Sequence, residues 1–198
     1  MVQSARGTAY AKIFSAQTSG ARTEWHWLHM LPMLGVRAPD PIASRFTSRR
    51  AMIVTAAVSG RSLDAWLVDA RREGWLAQAF AYVCQDVADM VARLHRQGVV
   101  HRDLNTAHLF VADPRLPDSP PTLIDVERMF EPRWRRRRWI VKDLASLLAS
   151  SPVPVTTRVW WRFLRGYAPE LGQRERRRLA FAVRRKAKRI AAHQPRYG

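Results

Sequence analysis

The sequence predicts an α+β fold of two lobes: a partial small lobe over residues 1–60 and a mainly helical large lobe over residues 61–198. Three observations carry this. Strand-like runs rich in β-branched and aromatic residues, 8–14 and 51–55, lie ahead of Gly60. Residues 74–97 carry the longest helical stripe, with Phe80, Val83, Val87, Met90, Val91 and Leu94 on one face. Between these regions and the basic C-terminus stand two short apolar runs, Leu109-Phe110-Val111 and Thr122-Leu123-Ile124, which read as a hairpin.

Each element follows from local pattern. Residues 8–14 form a strand, and residues 21–34 a helix that buries Trp25, Leu28 and Leu31. Residues 51–55 form the strand that leads to the hinge, and Gly60 turns the chain. Ser62-Leu63-Asp64 starts a short helix that runs to about Ala70. Gly98 closes the 74–97 helix as a C-cap glycine. In the hairpin, Asp113-Pro114 and the prolines from Pro117 to Pro121 supply the turn. Asp143 opens a helix over 143–151 with Leu144, Leu147 and Leu148 inward, and an Asp there can cap free N–H groups. Residues 158–167 form a helix with Trp160, Trp161, Phe163 and Leu164 mostly in the core. Residues 172–192 form a basic helix with Leu179, Val183, Ala187 and Ile190 near one face.

With 198 residues, 47% hydrophobic content and eight Trp, the chain can bury a core. Its one cysteine, Cys84, allows no internal disulfide and suits a reducing compartment. No segment reaches the length of a membrane span, and residues 1–12 lack the apolar stretch of a signal peptide. We therefore expect a cytoplasmic protein, with peripheral attachment at the inner membrane as a further expectation. From Arg133 onward, 19 basic residues face 3 acidic ones, so +16 of the net +18 lies in the last third. Such asymmetry points to an anionic partner.

The chemistry is concentrated in His101-Arg102-Asp103-Leu104-Asn105-Thr106-Ala107-His108. It reads as H-R-D-L-x-x-x-N with His in place of Asn, the catalytic loop of a kinase-fold phosphotransferase. Phosphoryl transfer needs a carboxylate beside the attacking hydroxyl and a metal-holding group nearby. Asp103 and His108 stand at those spacings. Asp125, after the apolar Leu123-Ile124, stands where a kinase carries its second acidic group. Alone, an Asp at a strand end is more often a turn residue. Upstream, Tyr10-Ala11-Lys12-Ile13 resembles the V-A-I-K strand, and Glu24 on the following helix is its candidate partner. Either charge alone reads as a solvated surface group. His26 and His29 lack metal spacing and read as ordinary helix residues.

From Lys12 to Ser151 the order of motifs resembles the lipopolysaccharide kinase family, which phosphorylates heptose or Kdo sugars of the lipid-linked core. His108 in the Asn position, Ile124-Asp125-Val126-Glu127-Arg128 in place of D-F-G, and Arg138-Trp139-Ile140-Val141-Lys142-Asp143-Leu144 carry the likeness. It implies a protein-kinase-like fold, ATP and Mg²⁺ as cofactors, and a lipid-linked sugar acceptor. It also implies Asp103 as catalytic base within the His101, Arg102, Asp103 triplet. Lys12 would bind phosphate with Glu24 as its partner. Asp125 would be a magnesium ligand and His108 would assist at the metal, by a water or by hydrogen bonds to Asp103 or Asp125. Asp143 would brace the catalytic loop. The sequence departs from the pattern at its start. Eleven residues precede Lys12 with Gly7 as their only glycine, so the Gly-rich hairpin over the nucleotide phosphates is expected to be missing or incomplete.

That departure keeps a non-catalytic kinase-like binding module open, beside a protein or small-molecule kinase. Nucleic acid is disfavoured as a partner: there is no zinc spacing, RNP motif or helix-turn-helix signature. Arg133-Trp134-Arg135-Arg136-Arg137-Arg138-Trp139 reads either as a grip on sugar phosphates or as a solvated basic loop. The 172–192 helix suits an anionic bilayer surface, with packing on the large lobe as the competing use. Oligomeric state is not legible.

Overall fold

The computed structural model describes residues 2–4, 7–15, 18–116 and 118–193. The small lobe is a four-stranded antiparallel sheet in the order β1-β2-β4-β3, formed by β1 (Val2–Ser4), β2 (Gly7–Ser15), β3 (Pro41–Phe46) and β4 (Arg50–Ala56). Helix α1 (Thr18–Met33) packs across it, with Ala21, Leu28 and Leu31 buried above Ala51 and Ile53. The strand pair ahead of Lys12, expected to be missing or incomplete, is present. β1 pairs with β2 through Val2↔Ala9, Gln3↔Thr8 and Ser4↔Gly7. Strand β3 was not anticipated. It opens on Pro41 and carries a register shift between Pro41 and Ala43, so it shows no clean alternation.

Gly60 makes the hinge. Its φ is +87°, and a Cβ there would sit 2.0 Å from the Val111 carbonyl oxygen, so only glycine lets β5 (Arg61–Ser62) lie against β6 (Leu109–Val111). β7 (Thr122–Leu123) completes a small sheet in the order β5-β6-β7. The expected hairpin is thus formed; of its turn, Pro117 lies outside the described residues.

The helix expected over 74–97 is corrected in two respects. Gly74, at φ +85°, caps α2 (Leu63–Glu73) rather than starting the next helix. Then α3 (Leu76–Tyr82) runs through a π-turn, Val83–Val87, into α4 (Ala88–Arg96). The π-turn faces α6 (Thr157–Tyr167). There Gly166 comes so close that a Cβ on it would lie 2.4 Å from the Cys84 carbonyl. A periodicity count cannot see a one-residue bulge that keeps the stripe nearly in phase.

α5 (Arg136–Ala149) and α7 (Gln173–His193) pack against each other. Leu179, Ala180, Val183 and Ala187 of α7 are buried by that packing. The apolar face of the basic helix is therefore consumed inside the large lobe, and the face left outside is charged, with Phe181 its one large exposed apolar residue. Among the described residues, no helix is long and apolar enough to cross a membrane.

Candidate active site

Lys12 lies mid-strand on β2, opposite Ile53 of β4, and its ammonium reaches three carboxylates. Glu24 of α1 is 2.8 Å away, Asp125 2.7 Å and Glu127 2.9 Å. The Lys12–Glu24 pair expected from the sequence is formed. Trp27 of α1 also donates its indole N–H to the Met129 carbonyl at 3.0 Å, which ties the small lobe to the segment that carries Asp125. Burial works against the Lys12 charge, but Asp125, Glu24 and Glu127 outweigh it and hold its pKa above the ordinary value. Burial likewise works to raise the Asp125 carboxyl, and Lys12 overrides it, leaving Asp125 below the usual range. Glu24 is the most enclosed of the three, and burial lifts its pKa despite Lys12.

The catalytic loop is held from behind. Asp143 is fully buried, and both of its oxygens accept main-chain bonds: from His101 N–H at 2.7 Å and from Arg102 N–H at 2.8 Å. His95 Nε2 lies 3.3 Å from the same carboxylate, and His95 Nδ1 meets the Tyr167 hydroxyl at 2.8 Å. Asp143 is not a helix N-cap, as its local sequence also allowed. It lies inside α5, because the helix starts at Arg136. Arg102 takes φ +71°, a left-handed backbone that costs roughly 1–3 kcal/mol for a side-chain-bearing residue. Its N–H is held by Asp143, and its carbonyl accepts from Lys142. That clamp keeps the loop in its strained shape and leaves the next residue, Asp103, half-exposed with Arg128 at 3.6 Å.

His101 is buried, with Nε2 3.3 Å from the Ile124 carbonyl, and burial depresses its pKa. It thus spans from the catalytic loop to the strand that ends at Asp125. His108 makes the second link. Its Nδ1 is 3.0 Å from the Asp103 carbonyl and its Nε2 3.5 Å from Asp125. The Asp103 carbonyl and the Asp125 carboxylate both only accept, so each contact is a hydrogen bond only where the facing ring nitrogen carries the proton; the Asn105 side-chain amide lies 3.2 Å from the same Nδ1. The Ile124 N–H donates to the His108 carbonyl at 2.9 Å, and Asp125 itself adopts φ +56°. Lys12, Glu24, His101, Asp103, His108 and Asp125 are therefore linked around one cleft, with Asp143 behind the loop. Glu127 was missed. The one available signal was its place two residues beyond Asp125.

Oxygen atoms of Glu24, Asp125 and Glu127 lie within 4.8 Å of one another. A set of carboxylate oxygens with one cation among them fits a hard divalent ion such as Mg²⁺. The arginine run is corrected from a loop to a loop and a helical turn. Trp134 is exposed, but Arg136 donates to the main-chain carbonyls of His95 and Arg96. Trp139 packs edge-on against Phe130 with centroids 5.1 Å apart, while Arg102 and Arg138 lie over its ring.

A sheet-and-helix small lobe, a helical large lobe and an H-R-D loop in the cleft between them define the protein-kinase-like fold class. More closely, the chain belongs to the lipopolysaccharide kinase (Kdo/WaaP) family, whose model matches residues 8–167. It is similar to a solved structure described as WaaP in complex with acyl carrier protein. The TM-score is 0.75 and the identity 28%, over 92% of this chain and 80% of that one. No curated protein sequence matches the chain.

Proposed function

We propose that the chain transfers the terminal phosphoryl group of ATP to a hydroxyl of a lipopolysaccharide core sugar. The observation that carries the reading is Lys12, which touches both Glu24 and Asp125 while His108 links Asp125 to the backbone of Asp103. In this reading Asp103 accepts a hydrogen bond from the attacking hydroxyl and takes its proton as the bond to phosphorus forms. Lys12 turns from its carboxylates to the nucleotide phosphates, with Glu24 fixing its direction. Asp125, with Glu127 beside it, would hold Mg²⁺, which neutralises phosphate charge when bound. His108 and His101 set the distance between the Asp103 loop and Asp125. Arg128, Arg102 and Arg138 with Trp139 offer charge and a flat ring on the acceptor side.

Family membership supports the acceptor class, and the clamped loop supports catalysis over a purely binding module. The test is transfer of labelled phosphate from ATP to purified core lipopolysaccharide. Asp103→Asn is expected to lower the rate roughly 10²–10⁴-fold with an unchanged melting temperature. An undiminished rate in that variant would remove Asp103 from the chemistry.

We also read the chain as peripheral at an anionic membrane. With its apolar face buried, α7 is left to act by charge alone, at about 1 kcal/mol per residue close to an acidic leaflet. Binding to anionic vesicles is then expected to vanish at high salt, whereas salt-resistant binding would point to apolar insertion. The relative's complex with acyl carrier protein supports a carrier-protein partner as well, which a pull-down with purified carrier would check.

A further inference from the structure

Behind the catalytic loop, α4, α5 and the turn from α6 into α7 border an open pocket of about 440 Å³. Arg96, Arg136, Arg137 and Arg178 line it, opposed by Glu170 and Glu175. Glu175 is partly engaged, accepting the Gly172 N–H at 3.3 Å. Arg96 also reaches Asp89, outside the lining, at 3.8 Å, so with that partner counted the lining keeps an excess of one positive charge. Among the described residues, neither Arg137 nor Arg178 makes an ion pair, and both side chains are exposed. Ile140, Leu171 and Leu179 form an apolar wall. The size suits a small organic molecule rather than a bare ion.

The inner wall contains His95 and Tyr167. These are the outer links of the chain that runs Tyr167–His95–Asp143 to the amides of His101 and Arg102. We propose that this pocket binds a phosphate monoester or diester on a small carbon skeleton, a soluble sugar phosphate or a phospholipid headgroup, and that occupancy is felt at the catalytic loop.

The charge and shape argue for this class. Guanidinium groups bind phosphate oxygens in pairs, and a phosphate ester would meet Arg137 and Arg178, which make no ion pair among the described residues. The apolar wall receives the carbon skeleton. Two routes lead from the ligand to the loop. One is the Tyr167–His95–Asp143 chain. The other is Arg136, which donates to the carbonyls of His95 and Arg96 and would be drawn toward a bound anion. Both act on His95, and His95 touches the carboxylate that holds the strained Arg102. The site is separate from the cleft and does not depend on the reaction proposed there.

The full chain is titrated calorimetrically with glucose 6-phosphate and with inorganic phosphate. Flotation is run with phosphatidylcholine vesicles with and without phosphatidylglycerol. Arg137→Ala/Arg178→Ala is expected to weaken binding at least tenfold, and Glu170→Arg, a rim change on an exposed side chain, to tighten it. Hydrogen exchange at the His101 and Arg102 amides is expected to change when ligand binds the native chain. Tyr167→Phe should still bind ligand but lose much of that response. Response to glucose 6-phosphate assigns a soluble sugar phosphate; a response to anionic vesicles alone assigns a headgroup where it changes exchange at the His101 and Arg102 amides, which vesicle binding through the outer face of α7 would leave unmoved. Affinity indifferent to both rim changes, no binding of any probe, or binding that leaves the two amides unchanged overturns the proposal. None of these readouts requires phosphoryl transfer, so they stand even if the cleft proves inactive.

Discussion

The two sides of the catalytic loop are built differently. Behind it, Asp143 is dry, both of its oxygens are used, and its neighbours His95 and Tyr167 are buried. In front of it, Asp103 is half-exposed with one loose arginine, and Lys12 stands among three carboxylates with 41% of its side chain exposed. The buried Asp143 carboxylate has its partners without any ligand. The cleft carries more negative charge than its one lysine can balance, a state that a divalent cation would relieve. Asp143 holds the geometry of the loop; the cleft in front is left to be completed by what binds.

The strongest way to break this contrast is Asp143→Ala. It strips the partner from the buried His101 amide, at about 1–3 kcal/mol, and from the part-buried amide of the strained Arg102. We expect a loss of several kcal/mol in denaturant unfolding, together with loss of activity. A variant that keeps its stability but loses activity would mean that the rear is part of the chemistry rather than its support.

Lys12→Met tests the cleft. Activity should fall roughly 10²-fold or more, and the pH dependence of stability should shift toward greater stability in acid, the direction in which Glu24, lifted by burial, already acts in the native chain. In the native chain the lowered pKa of Asp125 contributes stability above its ordinary value, and that stability is lost as pH falls through the folded value. Without Lys12, Asp125, Glu24 and Glu127 repel one another, so the folded state binds protons more readily than the unfolded one. The variant should then gain stability, relative to native, as pH falls through the carboxylate range. Melting curves from neutral to acid pH check this, and parallel losses in both proteins would refute it.

Much of this cleft was legible because kinase-like chemistry is written in fixed local spacings. The H-R-D loop, the hairpin after it and Asp125 follow one another within 25 residues, and turn chemistry fixes how they fold together. Lys12 and Glu24 were legible as a pair because strand and helix are consecutive. What failed was whatever depends on distant packing. Gly74 was given to the wrong helix because a C-cap and a helix start share one residue's neighbourhood. The π-turn depends on Gly166, more than 70 residues away. Asp143 read as a helix start because the arginines before it looked like a solvated loop. In the fold, Arg136 finds the carbonyls at the end of α4, and the helix begins seven residues earlier. Glu127 had no motif of its own, and only the position of Lys12 reveals it.

The smallest expected effect sharpens the contrast most. Arg128 and Asp103 approach to 3.6 Å, but 48% and 41% of their side chains are exposed. An ion pair this open contributes about 0–1 kcal/mol, so Arg128→Ala should leave the melting curve almost unmoved. Its effect on rate separates two roles. If Arg128 only steadies Asp103, kcat should fall no more than about fivefold with KM for the acceptor unchanged, and lysine should restore much of it. If Arg128 binds an anionic group of the acceptor, the loss should appear in KM, and lysine should restore it poorly because it lacks the planar fork. A hundredfold loss in kcat would show that the front of the loop is as firmly pre-set as the rear, and the asymmetry argued from burial would be wrong.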